Sequence, residues 1–300
     1  MRIPPQLSEW LNLLARWFHV FAAILWVGST YYFTWLDGRF QEEEREAQEE
    51  GGDPEVWMVH SGGFYVVDKR KAPGTEPLHW FRWEAALTWL SGFALLVLVY
   101  YLGGALTDPD TSARLVKRLA HAPGWLTGLA FWRAGVAFVS SHEAGFAVAV
   151  SVGALVVGWI VYDLLSHTRL GKNDLAFAAV SYALVVASAF GLSRVLSGRA
   201  TYIQIGAMFG TIMAANVWMR ILPAQRRMIA ATSRGEKLDA RLGARAKQRS
   251  KHNTFMVVPL VFTMISNHFP SATYGRDDNW LILSILILVG WIAAKFVRRA

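Results

Sequence analysis

Apolar positions in this chain come in long unbroken runs, without the alternation of a half-buried strand, and those runs set the elements. A hydrocarbon core about 30 Å thick needs roughly 20 helical residues. Spans of about that length are predicted at Leu11–Leu36, Trp80–Leu102, Ala144–Leu165, Leu175–Leu196, Tyr202–Leu222 and Trp280–Phe296, with a shorter one at Asn253–His268. Between the first two lies a hydrophilic loop, Asp37–Leu78. Its acidic stretch Glu42–Glu50 reads as a solvated helix or a disordered tract, and His60-Ser61-Gly62-Gly63-Phe64-Tyr65 as an ordered glycine turn. Within Asp108–Ser141, the part from Gly124 to Ser141 is nearly long enough to cross. Arg133 sits in its middle and glycines break it, so it reads as one or two interfacial helices.

The fold class expected is all-α: a polytopic membrane helical bundle of about seven transmembrane helices plus interfacial helices, a single integral domain over 1–300. Composition agrees, with 54% apolar and 17% charged residues and 14 Trp. The first apolar run is as long as a true span and has no small-residue cleavage site, so no cleavable signal peptide is expected. The net charge of +8 gathers in the loop Pro223–Lys251 and in Arg298-Arg299, which points to topology and away from nucleic-acid binding. That loop holds nine Lys/Arg (226, 227, 234, 237, 241, 245, 247, 249 and 251) against Glu236 and Asp239. Basic loops stay in the cytoplasm, so the C-terminus is expected inside and the N-terminus outside. Counting through seven spans sorts His79, Asp163, Arg220 and His252 to the inner face, and His19, His142 and His268 to the outer one. The sorting fails if Gly124–Ser141 crosses.

The absence of cysteine rules out a disulfide, an iron–sulfur cluster and Cys-ligated haem in this chain, leaving metal chemistry to histidine and carboxylate. No G-x-G-x-x-G in a βαβ setting, Walker motif or His-Glu-x-x-His occurs, so flavin, nicotinamide, nucleotide hydrolysis and zincin chemistry are unsupported.

Ionisable groups inside a membrane cost about 2.5–3.5 kcal/mol each on insertion scales, and tend to be paired and functional. The stretch His79-Trp80-Phe81-Arg82-Trp83-Glu84 opens a span with such groups. Its aromatics suit an interfacial belt and Arg82 a snorkelling anchor, but Glu84 has no anchoring use, so the cluster reads as one wall of a polar site. The inner set comprises His79, Arg82, Glu84, Asp163, Asn216, Arg220, His252 and Asn253. Arg82 and Arg220 suit a planar organic anion, Glu84 or Asp163 a ring N–H or a base's role, and a histidine a proton relay. The competing reading makes Arg82–Glu84 and Arg220–Asp163 structural neutralising pairs. His19 with His268, and His79 with His252, are candidate axial pairs for haem b, two groups in all. The stripe His19, Trp26, Phe33 is more simply a packing face.

Several stretches together resemble a known family. They are Trp17-Phe18-His19-Val20 with Ile24-Leu25-Trp26-Val27-Gly28 and Tyr31-Tyr32-Phe33, Ser61 to Tyr65, His79 to Gly92, Gly158 to Asp163, His252-Asn253-Thr254, and Met264 to Pro270. In these the chain is similar to the membrane domain of the cytochrome c-linked, membrane-bound bacterial urate oxidases. The resemblance implies a bacterial inner-membrane enzyme oxidising urate to 5-hydroxyisourate, with electrons passed to a c-type cytochrome. Urate would be held by Arg82, Trp83, Asn216, Arg220 and Asn253, with Glu84, Asp163 and His79 as catalytic groups. The family's usual eighth span and C-terminal Cys-x-x-Cys-His cytochrome domain do not occur here, so the acceptor would be a separate protein. Two further readings are a haem-bearing electron-transfer subunit of a respiratory assembly without urate chemistry, and an anion transporter; the repeat symmetry expected of the latter is not seen.

Overall fold

The computed structural model describes residues 4–50, 54–70, 77–236 and 239–298. Lys237 and Arg299, counted above among the cations, lie outside these. The first helix, α1 (Pro5–Glu50), runs 46 residues, about 69 Å at 1.5 Å per residue. It therefore continues well past Leu36, through the acidic stretch. An Arg39–Glu42 pair at 2.9 Å, one turn apart, supports it there. So does an apolar cluster joining Leu36 and Phe40 to Val56. Val56 belongs to an antiparallel hairpin, β1 (Glu55–His60) with β2 (Gly63–Asp68), in which His60 pairs with Gly63. The two tip residues, Ser61 and Gly62, have φ of 51° and 79°, as a type I′ turn requires. The predicted hydrophilic loop is thus largely ordered.

The remaining helices are α2 (Trp83–Leu95, extended by a π-helical turn Leu96–Tyr101), α3 (Pro109–Ala120), α4 (Gly124–Thr127), α5 (Ala130–Ser141), α6 (Glu143–His167), α7 (Asp174–Leu192) and α8 (Gly198–Asn216). A π turn, Val217–Ile221, leads from α8 into α9 (Leu222–Ser233); α10 (Ala240–Ile265) and α11 (Asn279–Val297) follow. Most of the predicted basic loop is therefore helix. Pro223 lies in the first turn of α9, where its missing N–H costs little, and the lysines, arginines and alanines that follow are good helix formers.

Among the described residues, six stretches are long and apolar enough to cross a membrane: Pro5–Ala47, Trp83–Tyr101, Glu143–His167, Asp174–Leu192, Gly198–Ser233 and Asn279–Val297. The seventh predicted span lies in α10, whose first half is basic. Its apolar part from Asn253 on reaches about 20 Å.

Side-chain contacts fix the direction of each pass. On α1 and α2, His19 meets Ser91 and Phe33 meets Phe81, so the two are antiparallel. Trp89 bonds Thr211 and Trp83 touches Trp218, setting α2 against α8 in the same sense. Between α6 and α8, Ser151 pairs with Gln204 and Asp163 with Arg220, a parallel pair. Asn216 meets Asn253 and Arg199 meets Asn267, turning the chain back at α10. Tyr101 at the end of α2 bonds Ser151 near the start of α6 at 2.8 Å. The segment 106–141 therefore leaves and re-enters the bundle at one end without crossing. It is broken into α4 and α5 at Gly128-Leu129. One end of the bundle collects His79, Asp163, Arg220 and His252, and the other His142 and His268, whereas His19, expected at that second end, meets Thr88 and Ser91 midway along α2.

Helix contacts rely on small and polar residues, as they do where lipid removes the hydrophobic drive for association. Gly206 has no room for a Cβ, which would stand 2.1 Å from Thr263 Oγ1, so the Thr263 side chain of α10 packs directly on the α8 backbone.

Candidate functional site

The inner set predicted from sequence divides into two neighbouring groups. In the first, Asp163 on α6 accepts from two arginines. Arg220 Nε reaches its Oδ1 at 2.9 Å and Nη2 its Oδ2, while Arg249 Nη2 reaches Oδ1 at 2.9 Å. Asn216 donates to Asn253 Oδ1 at 2.8 Å and to the Tyr162 hydroxyl at 3.0 Å, and Asn253 donates to the Met213 carbonyl at 3.1 Å. The Tyr162 hydroxyl is also 2.9 Å from His252 Nδ1, whose ring stacks on Phe177 at 4.6 Å. Arg249 is only 4% exposed and Asn216 0%. Five predicted residues, Asp163, Asn216, Arg220, His252 and Asn253, are thus brought together. Tyr162 and Arg249 join them. Arg249 had been counted only as a loop cation, although it stands four residues before Asn253 on the same helical face. The Arg220–Asp163 neutralising pair exists, and a second arginine strengthens it.

The second group opens α2. His79 is exposed, with its ring edge-on to Phe81 at 4.6 Å. Arg82 has its guanidinium 5.5 Å from the Trp83 ring, and Trp83 meets Trp218 edge-on at 6.0 Å, which joins the two groups. The alternative pairing of Arg82 with Glu84 does not form. Arg82 precedes the first turn of α2, while Glu84 faces α1. Arg82 Nε and Glu84 Oε2 are both buried and have no hydrogen-bond partner. Glu84 lines a cleft of about 430 Å³ between α1 and α2, with Ile24, Leu25, Gly28, Ser29, Tyr32, Phe33 and Phe81. Phe33 and Phe81 meet edge to face at 4.8 Å on its wall, and the Tyr32 hydroxyl reaches Met58 Sδ of the hairpin at 3.5 Å. A carboxylate oxygen left without a donor in an apolar cleft is the arrangement that a ligand N–H would complete.

The histidines differ in their fitness for haem. His19 has Nδ1 3.1 Å from the Thr88 carbonyl and 3.0 Å from Ser91 Oγ, which leaves Nε2 as the free nitrogen of an oriented imidazole, as an axial ligand needs. His268 is exposed on a 3₁₀ turn. His252 has Nδ1 against the Tyr162 hydroxyl and its ring stacked on Phe177, whereas the His79 ring lies against Phe81, so the two imidazoles are held by different neighbours. The stripe of His19, Trp26 and Phe33 is the face α1 presents to α2, as packing requires.

No curated protein and no solved structure matches the chain significantly. A family model described as urate oxidase N-terminal matches residues 5–138 and 123–300, which together cover nearly the whole sequence. The polytopic bundle, with its ionisable groups gathered at the helix ends, is thus a urate oxidase-like membrane protein, and the chain belongs to the urate oxidase N-terminal family.

Proposed function

We propose that this protein is a membrane-bound oxidoreductase that converts urate to 5-hydroxyisourate in the cleft between α1 and α2, and passes the electrons to a separate c-type cytochrome. The observation that carries the reading is the unpartnered Glu84 carboxylate in a cleft walled by Phe33, Phe81 and Tyr32. Urate is a planar anion near neutral pH. Its rings suit aromatic walls and its N–H groups suit a carboxylate acceptor. Urate and water give 5-hydroxyisourate, two protons and two electrons, so two one-electron cytochromes are reduced per turnover. Glu84 accepts a proton as the C–O bond forms. A haem b on His19 would supply a one-electron carrier midway along the bundle. The Asp163 cluster, joined to the cleft through Trp83 and Trp218, keeps the α2 entrance in place. We place the site in the bacterial inner membrane.

The test is urate-dependent reduction of an added oxidised c-type cytochrome by the purified protein, with urate loss followed in parallel. Glu84→Gln is expected to lower the rate by a factor on the order of 10²–10⁴ while urate still binds. Wild-type protein that neither binds urate nor reduces the cytochrome in its presence would overturn the reading, and would leave the electron-transfer subunit as the better account.

A further inference from the structure

At the end of the bundle away from Asp163, four elements bring together two arginines, a buried phenol and an amide. Arg199, in the first turn of α8, donates through Nε to Asn267 Oδ1 at 2.9 Å, and its guanidinium lies 5.8 Å from the Tyr100 ring. Tyr100, only 5% exposed, directs its hydroxyl to the same Asn267 oxygen at 3.4 Å. Arg16 stands one helical turn before His19 on α1, and since α1 runs antiparallel to α2 with His19 against Ser91, it brings a second positive charge toward the Tyr100 end of that helix. Among the described residues, neither Arg16 nor Arg199 has a carboxylate within 4.0 Å, whereas both arginines at the other end share Asp163.

A snorkelling arginine would be held loosely; the mount of Arg199 is rigid. A Cβ on Gly198 would stand 2.3 Å from the Tyr274 carbonyl oxygen, so the start of α8 is pressed against the loop after α10. That loop is tied down by Tyr202 to the Asn279 carbonyl at 2.9 Å, by Tyr274 to the Asn267 carbonyl at 3.3 Å and by Thr273 to the Phe269 carbonyl at 2.6 Å. With Nε committed to Asn267, the terminal amino groups of Arg199 keep the fork that matches a tetrahedral or planar oxoanion.

From this we infer that Arg16, Tyr100, Arg199 and Asn267 form a phosphate-type oxoanion site at the bundle end opposite the Asp163 cluster. The anion is either the headgroup phosphate of an anionic phospholipid, since the helix ends lie where headgroups are, or a free phosphate. Urate is not its ligand, and the site stands whether or not the α1–α2 cleft oxidises urate.

The experiment measures thermal unfolding of the full-length protein by tryptophan fluorescence. One arm uses nanodiscs of neutral phosphatidylcholine with and without phosphatidylglycerol. The other uses neutral detergent with inorganic phosphate against chloride at equal ionic strength. Asn267→Asp places a carboxylate on Arg199 with almost no change of shape, and Arg16→Gln with Arg199→Gln removes the charges; Arg245→Gln, exposed in α10, is the control. Stabilisation of wild type and the control by phosphatidylglycerol alone, weakened at least about tenfold in midpoint concentration by both variants, assigns a lipid phosphate. Stabilisation by free phosphate as well, lost in the same variants, assigns a free oxoanion. No stabilisation in either arm, or equal responses from wild type and Asn267→Asp, would overturn the inference.

Discussion

The two ends of α8 hold similar side chains in opposite electrostatic states. Asn216 and Arg199 lie on one helix about 26 Å apart. At the Asn216 end, Asp163 is matched by two arginines and the surrounding amides and hydroxyls are bonded to one another. At the Arg199 end, a similar set of guanidinium, phenol and amide is joined by hydrogen bonds, and among the described residues no carboxylate pairs with Arg199 within 4.0 Å. A cluster whose hydrogen bonds close on themselves has little left for a ligand and serves to lock helices. One that is left open holds capacity for a partner. The same distinction separates Asp163 from Glu84, which looked equivalent in the sequence. The first is saturated, and the second has a buried oxygen with nothing to accept from.

The largest effect should come from breaking the closed end. Asp163→Ala strands Arg249, which is 4% exposed, in a buried site without its counter-charge. Removing one partner of a buried pair costs about 3–5 kcal/mol. Loss of folded, monodisperse protein in detergent, or a collapse of the unfolding midpoint, checks this. A variant as stable as wild type would mean that the cluster does not hold α6, α8 and α10 together.

A smaller loss is expected from Asn253→Ala, which removes the amide joining Asn216 to the Met213 carbonyl. Leaving buried polar partners unsatisfied costs about 1–3 kcal/mol. Below it falls Arg220→Ala. The Arg220 side chain is 39% exposed, so solvent screens its pairing with Asp163, and the expected change is under about 1 kcal/mol. Denaturant midpoints of the three variants should therefore rank Asp163→Ala, Asn253→Ala, Arg220→Ala from lowest to highest.

Much of the architecture was legible because lipid enforces it. Every backbone group in hydrocarbon must be bonded within its own helix, so long apolar runs announce spans. What the sequence concealed lies where helices pass beyond that constraint. The acidic stretch Glu42–Glu50 reads as either solvated helix or disorder, and the hairpin packing of Val56 on Phe40 that accompanies the helix is a tertiary fact. Arg249 hid in a run of cations whose simplest meaning is topology. Only continuing the helix back from Asn253 puts it on the buried face. Arg82 and Glu84, two residues apart, looked like a pair, but the start of α2 at Trp83 turns them to different neighbours. Tyr100, Arg199 and Asn267, separated by up to 167 positions, carry no shared signal in the chain.

The smallest expected effect sharpens the comparison most. In neutral detergent without phosphate or anionic lipid, Arg199→Gln removes a charge that has no counter-charge. It keeps an amide able to donate to Asn267 Oδ1, so the unfolding midpoint should move by no more than a surface substitution does, within about 0.5 kcal/mol. Removing an uncompensated cation also relieves its repulsion with Arg16, so any shift should be upward. Two substitutions on arginines that both bond an Asn or Asp oxygen near a helix end would then differ in sign. Arg220→Ala weakens a completed pair, whereas Arg199→Gln relieves an incomplete one. A destabilisation by Arg199→Gln equal to that of Asn253→Ala would show that Arg199 is already paired in the ligand-free protein, and the contrast between the two ends of α8 would reduce to one of position.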